Sequence, residues 1–200
     1  MNFATLKGLT IPEGVVTQIA DTQGNVLWEK NTVKTLYFRP NSDIDVSAWT
    51  LYPTGSTTAY SLLNEEVADD SSTYIQCSVA AGGYPTLEIG LGCEKTPAVI
   101  PRVTGGVFYV RYNNSSNISA SFHGYMDGTV ITGIIGEGYS TTYRTGTSEI
   151  TAEGIVAINE YIAANGKFPP FSVYAQFANG GTKAETTNVT QIYLELICGT

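Results

Sequence analysis

At 200 residues and a formal net charge of −8, the chain has room for one domain and a short extension. The acid excess offers nucleic acid no basic patch with which to displace counterions, and it gives an anionic membrane nothing to attract. Only 14% of residues are charged against 42% hydrophobic, so Thr, Ser, Gly, Asn and Tyr fill the surface, a mix that suits an all-β chain with many turns.

The first predicted element is a β-hairpin in "IPEGVVTQIADTQGNVLWEK", residues 11–30. Val15–Asp21 and Asn25–Glu29 read as strands, and Thr22-Gln23-Gly24 as the turn, with Gly24 free to take positive φ. A ribbon of two strands cannot bury both of its faces and is marginal alone in water. Its apolar residues, Ile11, Val15, Val16, Ile19, Val26, Leu27 and Trp28, need cover from elsewhere. Either the ribbon is the first pair of strands of the main domain, or it is an arm that docks on another protein by strand pairing. Its terminal position and the polar "NTVKT" at residues 31–35 favour the arm. The expected division is an anchoring arm over residues 1–33 and a β-sandwich domain over residues 34–200. The N-terminus lacks the continuous apolar stretch of a signal peptide, and no apolar run is long enough to span a bilayer, so the expectation is assembly in a cytoplasm.

Strands follow one after another. "TLYFRP" sets Leu36 and Phe38 against Tyr37 and Arg39. "STYIQCSVAA" aligns Ile75, Cys77 and Val79, and "TLEIGLG" aligns Leu87, Ile89 and Leu91. "GVFYVRY" and "ISASFHGY" place Phe108, Val110 and Tyr112, then Ile118, Ala120 and Phe122, on single faces, and the polar "NNSSN" between them reads as a hairpin loop. "TAEGIVAINEYIAANG" departs from this pattern. Ile155, Ile158 and Ile162 fall at helical spacing, Thr151 can cap the start with Glu153 in the first turn, and Gly166 before Pro169-Pro170 can end it. "FSVYAQF" and "TQIYLELIC" return to period two, with Phe171, Val173, Ala175 and Phe177, then Ile192, Leu194, Leu196 and Cys198, on one side. The fold class is therefore mainly β, an antiparallel β-sandwich of roughly eight strands with one inserted α-helix.

Little here points to catalysis. His123 is the single histidine and lies opposite Phe122 on the polar side of its strand, as a surface residue. Cys77, Cys93 and Cys198 are odd in number and lack metal-ligand spacing, which indicates buried free thiols. "NEEVADD" gathers Glu65, Glu66, Asp69 and Asp70, but neither a calcium loop nor an acid–base pair has that spacing; a solvated turn accounts for it. The glycines of "GTVITGIIGEGYS" fit turns and bulges, not a phosphate loop. No enzymatic activity and no cofactor are expected. Among the 13 tyrosines and two tryptophans, Trp49 and Tyr52 in "SAWTLYPTG" are the aromatics best placed to contact a glycan.

Arg39-Pro40-Asn41, Trp49, the acidic stretch before Tyr74-Ile75 and the closing Thr190–Leu196 strand carry a resemblance. Together they resemble a β-sandwich domain of structural proteins of tailed bacteriophages and prophages, over Leu36 to Ile197. "LTIPEGVVTQIADTQGNVLW" is similar to N-terminal segments of virion proteins from phages of Gram-positive gut bacteria. The resemblance implies a jelly-roll-like, non-enzymatic virion protein, a head fibre or capsid decoration, anchored to the major capsid or tail protein by its N-terminal arm. Self-trimers are a family-level expectation. The alternatives are a carbohydrate-binding adhesion module that contacts host glycans and a tail or baseplate receptor-binding protein.

Overall fold

A computed structural model of the chain describes residues 18–20, 23, 26–29, 33–38, 50–52, 63, 73–91, 100–136 and 138–199, with residues 18–20, 26–29 and 50–52 described through their backbone. Strands β1 (Gln18–Ala20) and β2 (Val26–Glu29) form a two-stranded antiparallel sheet of their own, with Gln18 opposite Glu29, Ile19 opposite Trp28 and a bulge after Ile19. The expected hairpin is present with shorter strands. Ile19, Val26, Leu27 and Trp28 lie on it, while Ile11, Val15 and Val16 fall outside the described residues.

Two five-stranded antiparallel sheets make up a jelly-roll-like β-sandwich. The first contains β3 (Lys34–Phe38), β5 (Ile75–Val79), β7 (Arg102–Asn114), β10 (Arg144–Glu149) and β12 (Glu185–Gly199). Its order is β10-β7-β12-β3, and β5 lies end to end with β3 along the same edge of the long β12. The second sheet runs β4-β6-β11-β8-β9, made of β4 (Thr50–Tyr52), β6 (Thr86–Leu91), β11 (Phe171–Asn179), β8 (Ile118–Met126) and β9 (Thr129–Val130).

Alternation decides which face turns inward. Every apolar row read from the sequence is buried between the sheets, with Cys77 half-buried at its edge. Phe171 of the second sheet meets Phe38 edge-on at 5.0 Å and Phe108 at 6.4 Å, both from the first sheet, and Tyr112 meets Phe122 at 4.7 Å. These aromatic contacts tie the layers together. Gly124 is required at the same seam, because a Cβ there would stand 2.6 Å from the Phe108 ring.

The reading of β7 and β8 as a hairpin is overturned. β7 pairs with β10 and β12, and β8 pairs with β11 and β9, in opposite sheets. Residues 115–117 carry the chain across the end of the sandwich, where Ser115 N–H donates to Thr186 O. Two strands with one apolar face each bury those faces equally well by pairing side by side or by stacking across a core. β12 also begins earlier than expected. A register shift at Thr190 lets Val189 and Ile192 both point inward, so one bulged strand serves β5 with its first half and β3 with its second.

The inserted helix α1 (Ala152–Asn165) forms as its sequence indicates. The Thr151 side chain accepts from Gly154 N–H, Gly166 ends it at φ 64°, and Ile158 is fully buried with Ile155 and Ile162 packed beside the core. It also closes a sheet edge. β10 stops opposite Val107, and beyond it the Asn159 side chain accepts from Val103 N–H at 2.9 Å and donates to Val103 O at 2.8 Å.

Candidate functional site

The outer face of the second sheet carries a transverse row set by strand register. Tyr52 of β4 lies opposite Glu88 of β6, Glu88 opposite Tyr174 of β11, and Tyr174 opposite His123 of β8. Inward neighbours on these strands are apolar, so alternation sends Glu88, Tyr174 and His123 to the outer side, where all three are half-buried. Gln176 and Ser121 form the next row, and Ser172 and Tyr125 the row on the other side. The Tyr125 ring lies 5.5 Å from Tyr174 at 54°, tilted rather than stacked. Ser172 Oγ donates to Glu88 Oε1 at 2.7 Å and fixes that carboxylate. His123 Nδ1 is closed off from solvent without a hydrogen-bond partner.

Two hollows flank this row. One, of about 380 Å³, is lined by Tyr84, Ser119, Ser121, Gly138 and Gln176. The other, of about 290 Å³, is lined by Glu88, Gly90, Asp127, Gly128 and Ser172. They lie toward opposite ends of β11, one on either side of the row, and hollow, row and hollow together are the candidate groove of this face. Tyr84, 71% exposed, offers an open ring at one end. Asp127 and Gly128 form the turn at the other end, with φ of 47° and 80°. Gly128 serves this turn, as the sequence indicates, whereas Gly136, at φ 65°, lies against the Tyr112 hydroxyl, where a Cβ would collide.

The groove gathers some of the expected residues. Tyr52 is in register with its central row, and Trp49 and the acidic residues Glu65, Glu66, Asp69 and Asp70 lie outside the described residues. His123 is on the outward side of β8, as expected, but it is half-buried instead of lying on an open surface. Glu88 and Tyr174 were not singled out from sequence. Their signal was present in the polar half of each strand's alternation, yet only the pairing of β6, β11 and β8 puts them side by side. Cys77 and Cys198 are free, and burial pushes both thiols up to about 11, which keeps them protonated at neutral pH. Cys93 lies outside the described residues. Among the described residues no group of His, Cys, Asp and Glu is arranged to hold a metal ion.

The architecture defines the class of protein as a jelly-roll-like antiparallel β-sandwich with the inserted helix α1. No protein-family model matches the chain. No curated protein matches it either. Among solved structures it is similar to a CBM4 structure, at 14% identity over 76% of this chain and 96% of that one, with a TM-score of 0.42. It is also similar to the CBM2 module of the evolved Dit of Lactobacillus casei BL23 phage J-1, at 10% identity over 84% and 98% of the two chains, with a TM-score of 0.43. A third is TmCBM61 in complex with β-1,4-galactotriose, at 8% identity over 82% and 87%, with a TM-score of 0.38. At scores this low the likeness carries no residue-level correspondence to the groove.

Proposed function

We propose that the protein is a carbohydrate-binding adhesion module whose ligand lies in the groove on the outer face of the second sheet. The observation that carries this reading is the row of Glu88, Tyr174 and His123 with a hollow on either side. Sugar rings present an apolar face and a rim of hydroxyls. A tyrosine ring surrounded by carboxylate, imidazole, amide and hydroxyl groups complements both. The module binds without cleaving, so release of new reducing ends from a bound polysaccharide would overturn that part of the reading. A glycan array tests the rest. The expected result is binding by the intact protein, lost on Tyr174→Ala and kept on Tyr193→Ala on the opposite sheet. Equal binding by both variants would move the site off this face.

The separate two-stranded sheet of β1 and β2 favours a second, compatible reading, in which the module is displayed on a virion surface as a head fibre or capsid decoration. The hairpin is the anchor there, and its partner is a capsid or tail protein. Deleting residues 1–33 should leave a folded sandwich that no longer enters particles. Unfolding of the truncated chain would instead make the hairpin part of the domain.

A further inference from the structure

If the groove binds a glycan, its charge and shape narrow the class of glycan. The outward positions of β11 from Ser172 to Ala178 cover about 20 Å of strand at about 3.3 Å per residue. The hollows lie toward the two ends of that span, so a ligand that reaches both is several sugar units long and not a single terminal one. The charged side chains that line it are carboxylates, Glu88 and Asp127. No lysine or arginine occupies an outward position of β6, β8 or β11. Among the described residues, Lys34, Arg102, Arg111 and Arg144 belong to the first sheet, and Lys167 and Lys183 to the connections before and after β11.

The remaining groups are neutral hydrogen-bonding partners: the hydroxyls of Ser119, Ser121 and the tyrosines, and the Gln176 amide. His123 fits this set. Its Nδ1 is closed off from solvent without a hydrogen-bond partner, which leaves Nε2 as the ring nitrogen that can meet a ligand. A uronate, sulfate or phosphate ester near the central row would meet Glu88 with no lysine or arginine among the outward positions of β6, β8 and β11 to balance it, against the background of a net charge of −8. Each close like-charge contact at the rim of a protein weakens binding by roughly tenfold or more.

We infer that the groove takes an uncharged, linear polysaccharide segment laid along β11 with Tyr174 beneath its middle, and that it rejects polyanionic chains. The test is affinity gel electrophoresis of the full chain through soluble neutral polysaccharides (mixed-linkage β-glucan, galactomannan, arabinoxylan, galactan) and acidic ones (polygalacturonate, alginate, hyaluronan). Retardation by at least one neutral chain and by none of the acidic ones is expected. Fragments of one or two sugar units from the retained polysaccharide should compete at least tenfold more weakly than fragments of five or six. Glu88→Lys should gain retention by polygalacturonate. Retention of the wild type by an acidic chain, or full competition by a monosaccharide, would overturn this inference and leave glycan binding standing. Retention by no chain of either kind would overturn the glycan reading itself.

Discussion

The two outer faces of the sandwich have similar ingredients and opposite arrangements. The first sheet turns out Tyr109, Arg111, Tyr193 and Glu195, and these side chains engage one another. Tyr109 and Tyr193 stack at 4.2 Å and 10°, the Tyr109 hydroxyl donates to Glu195 Oε2 at 3.3 Å, and the Arg111 guanidinium donates to Thr145 Oγ1 and lies 5.8 Å from the Tyr143 ring centre. Burial first, then the Glu195 charge, pushes the Tyr109 hydroxyl up to about 12. On the second sheet Tyr125 and Tyr174 meet at 5.5 Å in a tilted arrangement, a hollow lies on either side of the row, and His123 Nδ1 has no partner. Tyrosine content therefore does not identify a binding face. A face whose polar groups satisfy each other contributes to stability, whereas a face that leaves an exposed ring and hollows beside its polar row is available to a ligand.

The strongest perturbation of this contrast removes the seam that both faces rest on. Phe171→Ala, which strips the ring packed against Phe38 and Phe108, should cost about 3–5 kcal/mol and abolish binding together with the cooperative thermal transition. Gly124→Ala acts at the same place by overpacking. It should cost about 1–3 kcal/mol in urea denaturation, with binding weakened because β8 shifts beneath His123. Smaller effects separate the faces. Tyr193→Ala should cost about 1 kcal/mol of stability through loss of the stacked pair while the affinity for any retained glycan stays within twofold; a matching loss of affinity would show that the first face also binds. The smallest effect is pH-dependent. Tyr109 holds its proton to about 12 in the fold against 10.0 for an ordinary tyrosine, so its contribution is complete below pH 10 and is lost as pH rises from 10 to 12. Tyr109→Phe should make the decline in denaturation midpoint over that range shallower than in the wild type, and parallel slopes would count against the Glu195 contact.

Much of the fold was legible because burial and period two coincide. In β6, β7, β8, β11 and the second half of β12, each apolar row named from sequence is the row facing the core, and the helix runs from its Thr151 cap to Gly166. The strands that escaped notice lack that signal. β10 reads Arg-Thr-Gly-Thr-Ser-Glu and sits at a sheet edge with half-buried and exposed residues alternating, so no apolar side marks it. β4 and β9 are two or three residues long. The candidate site was legible only in pieces. Tyr52 is marked by its aromatic ring and falls in register with the central row, whereas Glu88 and Tyr174 have no feature of their own to distinguish them from other outward residues.

By itself the sequence determined which side of each strand is apolar, where the helix starts and stops, and that the surface is acidic and rich in tyrosine, because these are properties of short windows of chain. Tertiary structure decided which strands are neighbours: that β7 and β8 stack across the core instead of pairing, and that residues 52, 88, 174 and 123 form one row. The physical reason is that an apolar strand face is indifferent to what buries it. Partner choice depends on long-range packing and register, and a groove exists only once those choices have been made.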